Sequence, residues 1–187
     1  MVIFYHGSSV KGLTMLKPFV SEHKQPYIYF STNPVVALLY TVRPVEKPFN
    51  WYPYGFDSDG TVVYSEYYPG AFSDVYKGKS GYLYECDDIE NTENPTNINS
   101  AFTCNEPVEI DRMSEIDDIY DEFMKYKSQG LFKIKCFDDI SSKELSFVRD
   151  YLSNLIIKHD LHSKPDLDIS RMIQDHFKDI WETTCIL

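Results

Sequence analysis

The sequence predicts a mixed α+β protein, with strands and loops in its first half and helices in its second. Short apolar or aromatic runs bounded by Gly, Ser or Pro dominate the first half, and such runs are typical of buried strands. From residue 114 the apolar residues recur at helical spacing instead. The chain of 187 residues is long enough for one well-buried core. We therefore expect a core of residues 1–113 and a helical extension of residues 114–187 packed on it as one structural unit.

Five segments of the first half are predicted strands, because Val, Ile, Tyr, Phe and Thr suit a pleated, half-buried surface. They are residues 2–5, 27–30, 61–68, 82–86 and 102–110. A helix is predicted over residues 35–40, because Thr32-Asn33-Pro34 supplies a side-chain cap and then Pro at the first helical position. The proline-rich aromatic stretch 44–59 predicts a loop that packs on the body or covers a cleft, and residues 87–99 predict a polar loop.

The second half contains three predicted amphipathic helices and one strand. Ser114 is the predicted cap of the first helix, and a strand follows at residues 131–137. Ser141 and Glu144 have the spacing of a capping box and start the second helix, and apolar spacing indicates a third over residues 169–181. We expect the apolar stripes of these helices to face a core.

Charge and composition disfavour several classes of function. A formal net charge of −11 repels a polyphosphate backbone, so we expect no nucleic-acid partner. No apolar run approaches the roughly 18 residues that a membrane span needs, and the N-terminus has neither region of an export signal. We therefore expect a cytoplasmic protein without a membrane partner. The cysteines form no C-x-x-C pair, so no metal site is predicted; they are Cys86, Cys104, Cys136 and Cys185.

Four residues carry the functional prediction: His6, Tyr29, Tyr40 and Glu106. Cleavage of the bond between nicotinamide and ribose in NAD gives an oxocarbenium-like sugar, which a carboxylate such as Glu106 can stabilise. Tyrosine faces can hold the cationic nicotinamide by stacking and cation–π attraction of roughly 0.5–2 kcal/mol each. Three other carboxylates are alternatives for the catalytic role: Glu66, Glu85 and Glu109.

In type and order these residues resemble the His-Tyr-Glu signature of ADP-ribosyltransferases of the diphtheria-toxin and poly(ADP-ribose) polymerase type. His6-Gly7-Ser8 matches the first-strand motif, Tyr29 the second strand, Tyr40 a position eleven residues later, and Asn105-Glu106 a late strand. The resemblance spans roughly residues 3–116. It implies a split antiparallel β-sheet core that holds an extended NAD molecule as substrate.

The resemblance also implies a role for each matching residue. His6 would hydrogen-bond the adenosine ribose, the Gly7 backbone would meet the nicotinamide carboxamide, and Ser8 would assist at the ribose. Tyr29 and Tyr40 would enclose the nicotinamide ring.

Two further expectations come from the same resemblance. Glu106 would stabilise the transition state, and residues 17–26 lie where the family places the donor loop that closes over NAD. Ala37 stands where the polymerases carry a serine that binds the carboxamide, so we expect Ser31 or Thr32 to supply that contact.

The sequence thus leads us to expect an enzyme of the mono-ADP-ribosyltransferase or NAD glycohydrolase type, which passes ADP-ribose to an unidentified acceptor, such as a protein, or to water. Two alternatives stay open. One is a module of the same fold that binds NAD without turnover or binds a protein in its cleft. The other is an interaction protein with no nucleotide site, in which the histidine and tyrosines only pack.

Overall fold

The computed structural model describes residues 1–20, 25–47, 49–96, 98 and 100–184, and it is a mixed α+β structure as the sequence predicts. The strands are β1 (Ile3–Ser8), β2 (Met15–Leu16), β3 (Phe19–Val20), β4 (Pro26–Ser31), β5 (Tyr54–Phe56), β6 (Val62–Ser65), β7 (Gly81–Asp87), β8 (Ala101–Cys104), β9 (Val108–Glu109), β10 (Arg112–Ile116) and β11 (Phe132–Lys135). The helices are α1 (Pro34–Leu39), α2 (Ala71–Tyr76), α3 (Ile119–Ser128), α4 (Ser142–His159), α5 (Asp168–His176) and α6 (Lys178–Thr183). Residues 21–24 of the expected donor loop, and Cys185, lie outside the described residues.

The chain forms two compact units, and the first contains most of the strands. The first unit is Met1–Val42, Phe56–Val62 and Ser73–Lys133, and the second is Arg43–Gly55, Val63–Phe72 and Ile134–Leu187. The boundary expected after residue 113 therefore falls inside the first unit. The reason is that β10 pairs with β7 and α3 packs against α1, so the chain beyond residue 113 still builds the first unit.

The largest sheet belongs to the first unit and runs β10-β7-β1-β4-β3, with β8 also paired to β4. Its strand pairs are antiparallel. Strand β7 pairs along the whole of β1, from Ile3 opposite Asp87 to Ser8 opposite Tyr82. Strand β4 meets β1 where Ser31 lies opposite Tyr5. Two smaller sheets are β11-β6-β5 and β2-β9.

One face of the largest sheet carries an apolar core. The buried members of this core are Phe4, Leu16, Ile28, Phe30, Cys86 and Cys104. Because side chains alternate along a strand, His6 shares this face with Phe4, and its ring lies 6.1 Å from the ring of Phe30. Tyr29 alternates with Ile28 and Phe30, so its ring points to the opposite face.

Helix α1 packs on that opposite face, and its predicted cap is confirmed. The Asn33 side chain accepts a hydrogen bond from the Val35 N–H at 3.0 Å. A Cβ added at Gly7 would lie 2.0 Å from the carbonyl oxygen of Ala37, so only glycine allows α1 to approach β1 this closely. Tyr40 forms the C-cap of the helix.

The helix predicted to start at Ser114 begins later. Residues Arg112–Ile116 instead form β10, in which Ser114 lies opposite Leu83. Helix α3 starts at Ile119, where the Asp118 carboxylate accepts hydrogen bonds from the N–H groups of Tyr120 and Asp121 at 2.9 and 3.3 Å. Asp118 accepts hydrogen bonds from two N–H groups that the start of a helix leaves unpaired. Ser114 instead belongs to the strand that pairs with the edge of β7.

Other local predictions were wrong in extent. The strand predicted over residues 102–110 is two strands, β8 and β9, because Pro107 between them has no N–H for a ladder. The aromatic stretch predicted to be only a loop contains β5. Helix α2 was not predicted, since six residues after Gly70 are too few to reveal a helical period.

In the second unit the predicted capping box is confirmed. The Glu144 N–H donates to Ser141 Oγ at 3.3 Å, and the Ser141 N–H donates to the Glu144 carboxylate at 2.9 Å. The predicted apolar stripes of the C-terminal helices are buried at Val148, Leu152, Ile156, Ile169, Ile173 and Phe177. The helix predicted over residues 169–181 is two helices, α5 and α6, with Phe177 between them.

Substitution of the two candidate caps of α3 tests this description. We expect Asp118→Ala to lower the free energy of unfolding by about 1 kcal/mol or more, because the N–H groups of Tyr120 and Asp121, and that of Gly78 at 2.9 Å, lose their acceptor. Ser114→Ala should change it little, since Ser114 is an exposed strand residue. Urea unfolding of both variants measures the difference, and a larger loss for Ser114→Ala would contradict the observed cap.

Candidate functional site

The imidazole of His6 is fixed by a hydrogen bond to the backbone of β4. Its Nδ1 lies 2.9 Å from the carbonyl oxygen of Tyr29. A carbonyl oxygen only accepts hydrogen bonds, so Nδ1 carries the proton and donates it. Burial lowers the pKa of His6, and the bond to Tyr29 opposes this less strongly. At neutral pH the ring is therefore uncharged, and Nε2 is left as a hydrogen-bond acceptor. Among the described residues Nε2 has no hydrogen-bond partner.

His6 borders a cleft of about 670 Å³. This volume lies within the range of about 300–1,000 Å³ that is usual for small-molecule sites. The other lining residues are residues 12–17, Phe19 and Ile28. Most of them are apolar or glycine, and Thr14 and Lys17 add a hydroxyl and an ammonium group. Within the described part of the chain, the Lys17 ammonium has no ion-pair partner, so a negatively charged ligand can use it.

The two predicted tyrosines do not lie beside the imidazole of His6. The ring of Tyr29 packs against Phe19 and Tyr27, at centroid distances of 6.1 and 6.4 Å. Tyr40 is 45% exposed at the end of α1. The structure thus joins His6 to the backbone of Tyr29, and not to its ring.

The small residues predicted at the site make local backbone contacts. Ser8 Oγ accepts from the Val10 N–H at 3.1 Å. The hydroxyl of Ser31, which is buried, accepts from the Asn33 N–H at 3.0 Å, and the Thr32 N–H donates to the carbonyl of Ser100 at 3.0 Å. These bonds fix the chain where it leaves β1 and where it leaves β4.

Glu106 lies in a bend between β8 and β9 and is exposed. It was predicted on a strand, and the bend around Pro107 is the reason for the difference. The described residues that line the cleft do not include it. Strand β8 pairs with β4, with Cys104 opposite Ile28, so Glu106 lies just beyond the end of this pairing.

The alternative carboxylates differ in their surroundings. Glu85 forms an ion pair with Arg112, with its Oε2 2.8 Å from Nε, and Glu66, in the second unit, accepts from the Phe72 N–H at 3.1 Å. Glu109 is exposed on β9, opposite Met15. Within the described chain, Glu109 has no ion-pair partner, as is also the case for Glu106.

Sequence reasoning missed the wall of the cleft. The segment 12–17 was not predicted to face His6, although Leu13 and Leu16 are apolar residues of the kind that anchor a loop to a core. It also missed a second, smaller cavity of about 240 Å³ on the other face of the sheet, lined in part by Tyr5, Glu85 and Tyr126. The residues of the second cavity are distant in the sequence, whereas residues 12–17 follow His6 closely but show no pattern that places them beside it.

No group of three His, Cys, Asp or Glu side chains in the described ranges is placed to hold a metal ion. None of the described helices combines the length and the apolar content needed to cross a membrane.

Comparison of the chain with protein-family models, with curated proteins and with solved structures gives no match. The functional interpretation therefore depends on the residues and their geometry.

The partly buried imidazole predicts a specific dependence of stability on pH. The pKa of His6 in the folded protein lies below its ordinary value of 6.5. Between this lowered pKa and pH 6.5 the unfolded chain binds more protons than the folded protein. The free energy of unfolding therefore falls as the pH decreases through this range, and it levels off below the folded pKa.

Urea unfolding between about pH 7 and pH 5 checks this expectation, because histidines titrate in this range. The variant His6→Asn keeps an N–H donor for the Tyr29 carbonyl but has no titrating ring. We expect wild type to lose more stability than His6→Asn on acidification. Parallel pH profiles would contradict the burial of His6.

Proposed function

We propose that this protein binds NAD and transfers ADP-ribose to an acceptor or to water with release of nicotinamide, in the manner of the ADP-ribosyltransferases that its His-Tyr-Glu motif resembles. The observation that carries the proposal is the His6 imidazole, which is neutral, is fixed by Tyr29 and borders a cleft of suitable volume. A packing histidine would need neither the cleft nor an unpaired Nε2.

The cleft offers contacts for the adenosine and pyrophosphate parts of NAD. His6 Nε2 accepts a hydrogen bond from a ribose hydroxyl, a contact that contributes about 0.5–1.5 kcal/mol. Lys17, which lines the same cleft, attracts the pyrophosphate. A local cation is needed because the protein carries a net charge of −11, which repels phosphate at long range.

The nicotinamide end of NAD would lie against the tyrosines. The ring of Tyr29 and the exposed ring of Tyr40 provide the aromatic faces. For the carboxamide, Thr32 is the better of the two candidate hydroxyls, because the Ser31 hydroxyl is buried and already accepts a hydrogen bond from the backbone.

The reaction itself is dissociative. The bond between the anomeric carbon of ribose and the nicotinamide nitrogen breaks, and its electron pair leaves with the nicotinamide. Glu106 stabilises the cationic ribose through its 2′-hydroxyl, and the acceptor then attacks the anomeric carbon and loses its proton. This chemistry requires no metal.

The exposure of Glu106 favours one alternative, a module that binds NAD without turning it over. Opposite charges 4 Å apart attract by about 1 kcal/mol in water but by about 4 kcal/mol at the lower effective dielectric near a protein surface. An exposed carboxylate outside the cleft therefore contributes little to catalysis unless the bound substrate or acceptor covers it.

Nicotinamide release separates the two functions. We expect Glu106→Gln to retain NAD binding but to release nicotinamide about a hundredfold more slowly than wild type, because the developing charge loses its counter-charge. Glu109→Gln, three residues away and also exposed, is the matched comparison and should keep the wild-type rate.

Each other outcome has a distinct meaning. Equal release from wild type and Glu106→Gln would remove Glu106 from its role, and loss in Glu109→Gln alone would transfer the role to Glu109. Binding without release in wild type would favour the non-catalytic module. No binding to wild type at millimolar NAD, measured by calorimetry, would overturn the proposed function.

A further inference from the structure

Residues 9–17 form a strap across the face of the sheet that carries His6. Leu13 and Leu16 of the strap pack against the apolar core of this face. Further along the strap, Met15 and Leu16 pair with β9. The part from Gly12 to Lys17 lines the cleft, so the position of the strap sets the width of the cleft beside His6.

One buried hydroxyl group holds the strap at two points. Tyr84 Oη donates a hydrogen bond to the carbonyl oxygen of Val10 at 2.7 Å and accepts one from the Leu13 N–H at 3.2 Å. The Tyr84 side chain is fully buried, and its Cα pairs with that of His6 across β7 and β1. The residue that anchors the strap is therefore the direct cross-strand neighbour of the imidazole.

A second anchor lies at the surface. The Lys11 ammonium is 2.9 and 2.8 Å from the two carboxylate oxygens of Glu115, and the Tyr82 hydroxyl donates to the same carboxylate at 3.3 Å. The side chains of Lys11 and Glu115 are 61% and 46% exposed. Exposed ion pairs contribute little to stability, so the buried hydroxyl of Tyr84 is the anchor that matters more.

We propose that Tyr84 is a positioning residue whose hydroxyl holds the strap as the wall of the cleft beside His6. That NAD is the ligand of this cleft rests on the proposed function, whereas the effect of Tyr84 on His6 does not. Without the hydroxyl, the Val10 carbonyl and the Leu13 N–H lose their partner and form hydrogen bonds to water instead. The strap then loosens, and water reaches more of the imidazole, which is only partly buried in the intact structure. Among the described residues that line the cleft with His6, Lys17 is the one charged residue.

The variant Tyr84→Phe tests the proposal because it removes one oxygen atom and keeps the ring. We expect the imidazole of His6, followed by NMR, to titrate at a higher pH than in wild type, since hydration favours its charged form. The His6 signal is assigned by its loss in His6→Asn. We also expect NAD to bind roughly tenfold more weakly, because a displaced strap no longer holds the ligand against His6 and the hydrogen bond from the ribose hydroxyl to Nε2 is lost.

The matched control is Tyr76→Phe. Tyr76 is also fully buried in the first unit, and its hydroxyl donates to the carbonyl oxygen of Leu39 at 3.1 Å, far from the strap in sequence. This variant should lose a similar amount of stability but keep the wild-type titration of His6. A shift in both variants would indicate general loosening and would overturn the role of Tyr84.

An unchanged titration of His6 in Tyr84→Phe would also overturn the proposal. If wild type does not bind NAD, the proposed function fails, but the titration still decides the role of Tyr84. Should Tyr84→Phe not fold, hydrogen exchange of wild type provides the test. The Leu13 amide must exchange slowly, as a hydrogen-bonded amide does, and exchange at the rate of an exposed loop would refute the anchor.

Discussion

The hydrogen bond from the His6 ring to the carbonyl of Tyr29 is the contact on which the candidate site depends. It links β1 to β4 beyond the point where Tyr5 and Ser31 pair, and it selects the tautomer of the imidazole. Without this bond the partly buried ring and the Tyr29 carbonyl would each lose a partner, at a cost of at most about 1–3 kcal/mol. The same hydrogen bond therefore stabilises the fold and leaves Nε2 available to a ligand.

Strand β4 is the element around which the candidate residues are arranged. His6 approaches one edge of β4, and β8, which leads to Glu106, pairs with the other edge, since Ser31 lies opposite both Tyr5 and Ala101. Helix α1 follows β4 directly and ends at Tyr40. Because the rings of His6 and Tyr29 point to opposite faces of the sheet, the proposed reaction requires NAD to extend from the cleft around β4 to reach the tyrosines.

Local signals made part of this structure predictable. The Asn33 cap of α1 and the Ser141 capping box of α4 involve residues two or three positions apart, so the sequence carries them directly. The start of α3 was harder to predict, because Ser114 and Asp118 both have side chains that can cap a helix. Only the pairing of β10 with β7 decides between them. The burial of His6 depends on the strap and on Tyr84, which is 74 positions from Val10, and no local pattern encodes such a contact.

A crystal structure of the protein with NAD bound tests the central claim most directly. The account predicts an adenosine ribose hydroxyl about 2.7–3.2 Å from His6 Nε2, with the pyrophosphate near Lys17 and the nicotinamide against Tyr29. NAD bound elsewhere on the protein, with Nε2 still without a ligand contact, would contradict it.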